Sequence, residues 1–263
     1  MTTLAYDDRG SGAAGTVVFI AGRGGAGRGW HLYQVKAFQF AGYRTITFDN
    51  RGVGATADAD GFTTETMVAD TAALIDELVG GPVRLVAVSM GSYIAQELML
   101  ARPDLVHSAV LMATRGREDK ARSFFRSAEA QLASSGVRLP AEYDAKARLL
   151  ESFSPKTLND DAAVADWIAM FTMWPTAPTP GSACQLNVAP QTNRLPAYRA
   201  IGAPVLVLGF ADDVVIPPHL GREVAEAIPS GRFQLIPDTG HLGFIEAPET
   251  VNTAALDFFA EQR

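Results

Sequence analysis

Short apolar segments alternate along this chain with stretches of helical periodicity, and this alternation limits the folds that are open to it. Apolar runs of strand length occur at residues 16–21, 44–48, 83–88, 108–112, 204–208 and 232–236. The apolar spacing of helices occurs at residues 64–79, 91–101, 220–228 and 251–262. Such alternation is typical of βαβ units, in which helices cover both faces of a mainly parallel sheet. The sequence therefore predicts an α/β fold.

The alternation stops between residues 115 and 195, where several helical stretches follow one another without a strand. Breaks between these helices are expected at Ser135-Gly136, Pro140, Pro155 and the proline-rich segment 175–181. We interpret residues 115–195 as a helical cap inserted into one core domain, which residues 1–114 and 196–263 form together.

Net charge and cysteine content limit the partners that the protein is expected to bind and the cellular compartment in which it is expected. A net charge of −7 and a pI near 5.1 disfavour nucleic acid, which requires a basic surface. The single cysteine, Cys184, allows no internal disulfide. The N-terminal MTTLAYDDRG has no basic leader or apolar core of a signal peptide, and no apolar run approaches the roughly 18 residues of a membrane span. We therefore expect a cytoplasmic protein without a membrane partner, either a monomer or a homodimer.

A serine stands where the apolar strand at 83–88 turns into the helix at 91–101. In an open parallel sheet, ligands bind beyond the carboxyl ends of the strands, so Ser89 lies at the functional edge. A tight strand–turn–helix would expose its hydroxyl, and the helix N-terminus would direct amides at a nearby oxyanion. The alternative is a serine N-cap, which is common in loops between strand and helix.

A nucleophilic serine needs a base, and the chain has four histidines. His241 follows the last predicted strand and is preceded by Gly240, so it comes at the same sheet edge as Ser89. An acid that orients this base is available in Asp212 and Asp213, directly after the penultimate strand. Three placements thus agree in the order Ser…Asp…His, and they favour catalysis over an N-cap.

These residues lie in motifs that together resemble the α/β-hydrolase-fold family, serine-nucleophile branch, over nearly the whole chain. The resemblance is carried by AVSMG at the nucleophile elbow, FADDVVIPP at the acid loop, DTGHLGFIEAPE at the histidine loop, and VVFIAGRGGAGRGW and TFDNRGVGAT after two further strands. Two departures are Ala87, in place of the first glycine of the elbow, and Ala21, where many members have a histidine.

By this resemblance, Ser89 is the nucleophile and His241 the base of a hydrolase that forms an acyl-enzyme. The resemblance further implies an oxyanion hole made by the amides of Arg23 and Met90, with Gly22 allowing close approach. The expected substrate is a small, largely apolar molecule with an ester-like bond. No metal and no organic cofactor is expected.

The resemblance also decides between the two adjacent aspartates. PVLVLGFADDVVIPP aligns without a gap with the family form PVLVLHGEDDPVVPP, which places Asp213 four residues before Pro217, as the family acid is. Counting from Gly209 in the usual Gly-x-x-Asp pattern would select Asp212 instead. Because strand and proline together fix the length of the loop, we predict that Asp213 is the acid.

Three alternative functions remain open from the sequence. A lyase, C–C hydrolase or elimination enzyme of the same fold would use the same three residues. The segment GRGGAG, residues 22–27, followed by Asp49 after the next strand, satisfies the pattern of a dinucleotide-binding loop and would suggest an NAD-dependent oxidoreductase. A third possibility is a binding protein that retains the three residues without turnover.

An aromatic stripe in the cap bears on the substrate. Val164, Trp167, Ile168 and Phe171 recur at helical spacing, and Trp174 continues the stripe. Such a stripe is ordinarily a packing face, but Trp167, Phe171 or Trp174 could also cover an apolar substrate pocket. The segment DADG at 58–61 is interpreted as a turn, because the residues that follow lack the oxygen ligands of a calcium loop.

Overall fold

One mixed sheet forms the centre of the molecule. The computed structural model describes residues 4–56, 61–176 and 179–262, and within them seven strands pair in the order β1-β3-β2-β4-β5-β6-β7. The strands are β1 (Tyr6–Arg9), β2 (Thr16–Ile20), β3 (Arg44–Phe48), β4 (Val83–Val88), β5 (Val106–Met112), β6 (Val205–Phe210) and β7 (Gly231–Ile236). All pairs are parallel except β1 with β3. The predicted α/β fold is confirmed.

Helices cover both faces of the sheet. On one face lie α1 (Gln34–Phe40) and α12 (Pro248–Glu261), whose apolar residues pack against side chains of β2, β5 and β6. On the other lie α2 (Thr64–Leu78), α3 (Met90–Ala101) and α10 (Pro218–Ala227). Because both faces are buried, the central strands read as continuous apolar runs rather than alternating ones.

The long segment between β5 and β6 consists of helices joined by loops, and its described part contains no strand. It contains α4 (Lys120–Ser135), α5 (Ala141–Ser152), α6 (Pro155–Leu158), α7 (Asp161–Met173), α8 (Pro180–Gln185) and α9 (Leu195–Tyr198). Helix α4 is capped at its C-terminus by Gly136, which has a φ of 71° that suits glycine, and Pro155 occupies the first position of α6. Where the segment leaves and rejoins the core, the amide of Arg194 donates to the carbonyl of Gly116 at 2.8 Å.

Several local predictions need correction. Strand β1 was not predicted, because it is a polar edge strand. Strand β5 begins at Val106, two residues before the start predicted from the sequence at 108. The turn predicted at 58–61 falls largely on residues 57–60, outside the described part of the chain. No helix among the described residues has the length and apolar character needed to cross a membrane.

Candidate active site

A strained turn presents the Ser89 hydroxyl at the carboxyl end of β4. Ser89 has φ 54° and ψ −119°, and α3 begins at the next residue. Its amide donates to the carbonyl of Met112 on neighbouring β5 at 2.9 Å, which fixes the turn to the sheet. A side chain at Gly91 would collide with the carbonyl oxygen of Ile20, so the turn requires glycine there. The Ser89 side chain makes no N-cap hydrogen bond to α3.

That hydroxyl is instead hydrogen-bonded to a histidine from the loop after β7. The Nε2 atom of His241 lies 3.0 Å from Ser89 Oγ, and its Nδ1 lies 2.8 Å from Asp213 Oδ2. The three side chains therefore form one continuous chain of hydrogen bonds, although they are separated by up to 152 residues in sequence. In this arrangement the ring can accept the serine proton on Nε2 while Nδ1–H donates to the carboxylate.

Of the two adjacent aspartates, Asp213 is the one that reaches the histidine. Asp213 is only 3% exposed, and its Oδ1 accepts the amides of Val215 and Ile216 at 2.8 Å each. These bonds hold the carboxylate so that Oδ2 faces the ring. The Asp212 side chain is exposed, while its backbone amide donates to the carbonyl of Thr239.

The loop after β2 lies against the serine. A Cβ added to Gly22 would lie 3.3 Å from Ser89 Cβ, so even the smallest side chain would be tightly packed against the serine there. Within the described chain, no protein hydrogen bond uses the amide of Arg23 or of Met90. Both amides thus lack a protein acceptor in the described chain, and Met90 is the first residue of α3, where the amides have no partner within the helix.

The helical segment reaches over this loop through two polar contacts. The Arg23 guanidinium forms a two-bond ion pair with Glu129 of α4, at 2.6 and 2.8 Å. Gln185, at the end of α8, accepts the amide of Gly24 at 2.8 Å and donates to the carbonyl of Arg51 at 2.6 Å. Helices α4 and α8 therefore fix the position of the loop.

An aromatic cluster of the same segment adjoins the histidine loop. The rings of Phe153, Trp167 and Phe171 lie 4.8 to 6.1 Å apart, and Leu242 packs against this cluster. The amide of Leu242 also donates to the carbonyl of Ser152 at 2.9 Å. Trp174 lies outside the cluster: α7 ends at Met173, and the Trp174 side chain is 64% exposed.

Sequence reasoning missed Glu246, which joins the histidine loop to the helical segment. Its Oε2 accepts the amide of Gly240 at 2.5 Å, directly before His241. Its Oε1 accepts the amide and hydroxyl of Ser154 and the hydroxyl of Thr157, at 2.5 to 2.9 Å. The one sequence signal is an acidic residue within the otherwise apolar GFIEAP stretch.

The contacts around GRGGAG disfavour its interpretation as a dinucleotide-binding loop. The carboxylate of Asp49 accepts the amide of Gly27 and the amide of Ala55, each at 2.8 Å, so it braces the loops instead of facing a ribose. A Cβ at Gly27 would lie 2.8 Å from the backbone of Phe48, which shows that this glycine serves close packing. Nor do three His, Cys, Asp or Glu side chains meet anywhere in the described residues to form a metal site.

Comparison with known proteins gives the class to which this fold and site belong. The model of the alpha/beta hydrolase family matches residues 17–254. The chain therefore belongs to the alpha/beta hydrolase family, as its motifs predicted, and is an enzyme of that superfamily.

Several individual proteins are similar to this chain over nearly its whole length. A Mycobacterium tuberculosis protein provisionally named non-heme bromoperoxidase BpoC is 71% identical over 260 residues, 99% of this chain and 98% of that protein. The crystal structure of BpoC superposes with a TM-score of 0.96, covering 99% of this chain and 97% of that one. A thermophilic esterase from Thermogutta terrifontis has a TM-score of 0.84 and 27% identity, covering 98% of this chain and 93% of the esterase.

Proposed function

We propose that the protein is a serine hydrolase that cleaves an ester-like bond through an acyl-enzyme. The observation that carries this proposal is the continuous hydrogen-bonded chain from Ser89 through His241 to Asp213. A structural serine would gain little from strained backbone angles and a histidine within 3.0 Å. A nucleophile needs both, because the turn exposes the hydroxyl and the base removes its proton.

In the first half-reaction Ser89 Oγ attacks the carbonyl carbon and transfers its proton to His241 Nε2. The imidazolium then donates this proton to the leaving alcohol as the ester C–O bond breaks. Asp213 holds Nδ1–H and stabilises the positive ring. In the second half-reaction His241 takes a proton from water, which attacks the acyl-enzyme carbonyl. The bond from the acyl carbon to Ser89 Oγ then breaks, and His241 returns the proton to Oγ, which releases the acid and restores Ser89.

The amides of Met90 and Arg23 stabilise the negative oxygen that forms in both half-reactions. Supporting observations are the close approach of Gly22 to Ser89 and the absence of protein partners for these amides within the described chain. Donors that are already in position cost no reorganisation when charge develops, so they contribute strongly to catalysis.

Residues 115–195 are proposed to act as a cap that selects the acyl chain. The cluster of Phe153, Trp167 and Phe171 adjoins Leu242, next to the base, and supplies an apolar surface close to the site. We therefore expect Trp167→Ala to shift the preference among p-nitrophenyl esters towards longer acyl chains. Trp174→Ala serves as the control, because the Trp174 side chain is exposed.

An equal loss of activity on every ester in Trp167→Ala, together with a lower Tm, would instead assign Trp167 to packing alone. A shift in chain-length preference with Trp174→Ala would show that the pocket extends beyond the end of α7.

Removal of the nucleophile tests the central proposal. Ser89→Ala should lower turnover of p-nitrophenyl esters by roughly 10⁴-fold, since the three groups act as one unit. A fluorophosphonate should label the wild-type protein once, at Ser89, and leave folded Ser89→Ala unlabelled. Ser92→Ala is the control and should keep most of its turnover, because the Ser92 hydroxyl donates to the carbonyl of Met112 rather than to His241. Near-wild-type turnover in folded Ser89→Ala would overturn the mechanism.

The name of the 71% identical relative motivates a second candidate activity. Hydrogen peroxide in place of water can attack the acyl-enzyme, break its bond to Ser89 and release a peracid. The peracid oxidises bromide to hypobromite and reverts to the carboxylic acid. Bromination of phenol red that requires acetate, peroxide and Ser89 would support this candidate. Its absence in an enzyme that hydrolyses esters would restrict the protein to hydrolysis.

A further inference from the structure

Three arginines and two acids gather where α4 begins, at the start of the segment between β5 and β6. We call Arg115, Arg122, Arg126, Glu118 and Asp119 the basic cluster. Within α4, whose residues are all described, Arg122 is the one buried side chain and is 9% exposed. A buried guanidinium has to recover the hydration that it loses, so the hydrogen-bond partners of this cluster need to be accounted for.

Arg122 lacks those partners. Its Nε is buried without a hydrogen bond, and the nearest carboxylate oxygen, Asp119 Oδ1, lies 3.7 Å away. That same oxygen is the N-cap acceptor of α4 and binds the Arg122 amide at 2.8 Å. The Phe125 ring, 5.1 Å from the guanidinium carbon, attracts the charge but accepts no strong hydrogen bond.

Arg115 is similarly underpaired. Its side chain is 14% exposed, and its nearest carboxylate oxygen, on Glu118, is 3.6 Å away. Glu118 is already engaged by Arg126 through two bonds of 2.8 and 3.1 Å. Burial, and the nearby charge of Arg122, lower the pKa of Arg115. Three guanidinium groups thus face two carboxylates, and a positive charge is left without an anion.

The position of Arg122 in helix α4 raises the free-energy cost of the unpaired positive charge. Arg122 is the third residue of α4, and the amides of a first turn already carry partial positive charge. A cation in that position is unfavourable unless an anion joins it. The cluster therefore has the properties of an anion site: donors without acceptors, positive potential and burial.

Helix α4 links this site to the loop beside Ser89. Arg122, Arg126 and Glu129 recur at i, i+4 and i+7, so they share one face of α4. Glu129 pairs with Arg23 beside Ser89, and Arg122 lies about 10 Å further along the helix axis. Tyr93, one turn beyond Ser89 on α3, is buried, and it is close enough to Arg115 for that charge to act on its phenol.

We propose that the basic cluster binds a carboxylate at the far end of the substrate's acyl chain, with Arg122 and Arg115 as the donors. The inference rests on the proposed function and refines its substrate class to ω-carboxy esters, in which an apolar chain joins the ester to the anion. A planar guanidinium matches the two oxygens of a carboxylate, and one excess charge balances a monoanion.

The test compares p-nitrophenyl monoesters of dicarboxylic acids, from succinate to suberate, with their methyl-capped neutral counterparts. In the wild-type enzyme the charged ester of best length should have the lower KM. Arg122→Met should raise the ratio of charged to neutral KM by roughly tenfold or more, as expected for loss of a charge-assisted hydrogen bond. Arg122→Lys should restore part of the preference, and Arg115→Met provides a second, independent variant.

Arg117→Met is the matched control, because Arg117 pairs with Glu223 of α10 through bonds of 2.7 and 2.5 Å, outside the cluster. It should leave the KM ratio unchanged. The same ratio in wild type, Arg122→Met and Arg117→Met would overturn the proposal, and so would an equal change in both variants.

Binding without turnover separates this proposal from the proposed function. Calorimetry of glutarate and of inorganic phosphate with Ser89→Ala, at constant ionic strength, should show saturable glutarate binding that Arg122→Met removes. If esters are not hydrolysed but glutarate binds through Arg122, the hydrolase proposal fails and the carboxylate site stands. Absence of glutarate binding, or binding of phosphate alone, overturns the carboxylate site.

Discussion

At the scale of single residues, the strained backbone conformation of Ser89 determines where its hydroxyl lies. Positive φ values outside glycine occur in the described chain at Ser89, Ala113 and Asp238. Such a conformation costs about 1–3 kcal/mol for a residue with a Cβ. The cost is offset by the packing of β4 and α3, which are buried on both sides of the turn. The strain keeps the hydroxyl clear of the helix and in reach of His241.

Asp213→Asn is expected to lower kcat by about 10⁴-fold. The Asn oxygen would keep the amides of Val215 and Ile216 and turn its NH₂ to the ring, so that His241 Nδ1 becomes an acceptor. The proton then sits on Nε2, which can no longer take one from Ser89. Steady-state kinetics of Asp213→Asn and of the exposed-site control Asp212→Asn measure this. A larger loss in Asp212→Asn would assign the acid role to the other aspartate.

Sequence reasoning works at this scale where a residue's position along a strand determines its place in space. Ser89, Asp213 and His241 each follow a parallel strand, and the carboxyl ends of parallel strands meet at one edge. Glu246 could not be found in this way. Its role depends on Ser154 and Thr157, about 90 residues earlier, and no local pattern reports such a contact.

At the scale of elements, the histidine loop is fixed by its neighbours rather than by its own sequence. Glu246, in the short helix α11 (Gly243–Glu246), accepts hydrogen bonds from the loop and from the residues that begin α6. A side chain at Gly240 would collide with the backbone of Phe153, so the loop and the end of α5 are in direct contact. Movement of these helices would therefore displace His241.

Glu246→Gln should lower kcat by roughly tenfold with little change in KM, and it should lower the Tm. A glutamine side chain has one oxygen, so one of the donors loses its acceptor at a cost of about 1–3 kcal/mol. Glu249→Gln is the control, since Glu249 is exposed three residues later. Kinetics and thermal melts of both variants provide the measurement. A lower Tm with an unchanged kcat would limit Glu246 to a structural role.

The central strands and long helices could be predicted because burial on both faces leaves a strong pattern. Strands β4 and β6 are buried almost throughout and read as apolar runs. β1, with the sequence YDDR, could not be predicted, because an edge strand exposed to solvent needs no apolar residues. Backbone hydrogen bonds set its pairing with β3, and these bonds leave no pattern in the sequence of side chains.

At the scale of the whole molecule, two acidic residues of the helical segment, Glu129 and Glu151, lie near each other and near Arg23 of the loop after β2. Burial, followed by repulsion from Glu129, raises the pKa of Glu151, and the positive charge of Arg23 only partly opposes this. Glu151 also lies in the last turn of α5, where the helix dipole disfavours a negative charge. The ionised form is therefore less stable in the folded protein than in the unfolded chain.

Glu151→Gln should consequently raise the Tm near neutral pH. Because the pKa of Glu151 is raised on folding, the folded state binds more protons than the unfolded chain. Stability therefore falls as the pH rises from the pKa in the unfolded chain to the pKa in the folded protein. The gain from Glu151→Gln should shrink as pH falls below the ordinary pKa of glutamate. Melting curves from pH 4 to 8 measure it. Glu142→Gln, exposed in the first turn of the same helix, should give no gain, and an equal gain there would contradict the assignment.

The hydrogen bond from the Arg194 amide to the Gly116 carbonyl joins the two ends of the helical segment. Because this bond holds the two ends of the helical segment side by side, we expect the segment, which the sequence predicts as an insertion at 115–195, to act as a closed loop on the core. Lengthening a closed loop costs little entropy, since the cost grows only with the logarithm of its length. We therefore expect that another segment can be joined to Gly116 and Arg194 while the register of the seven described strands stays as it is.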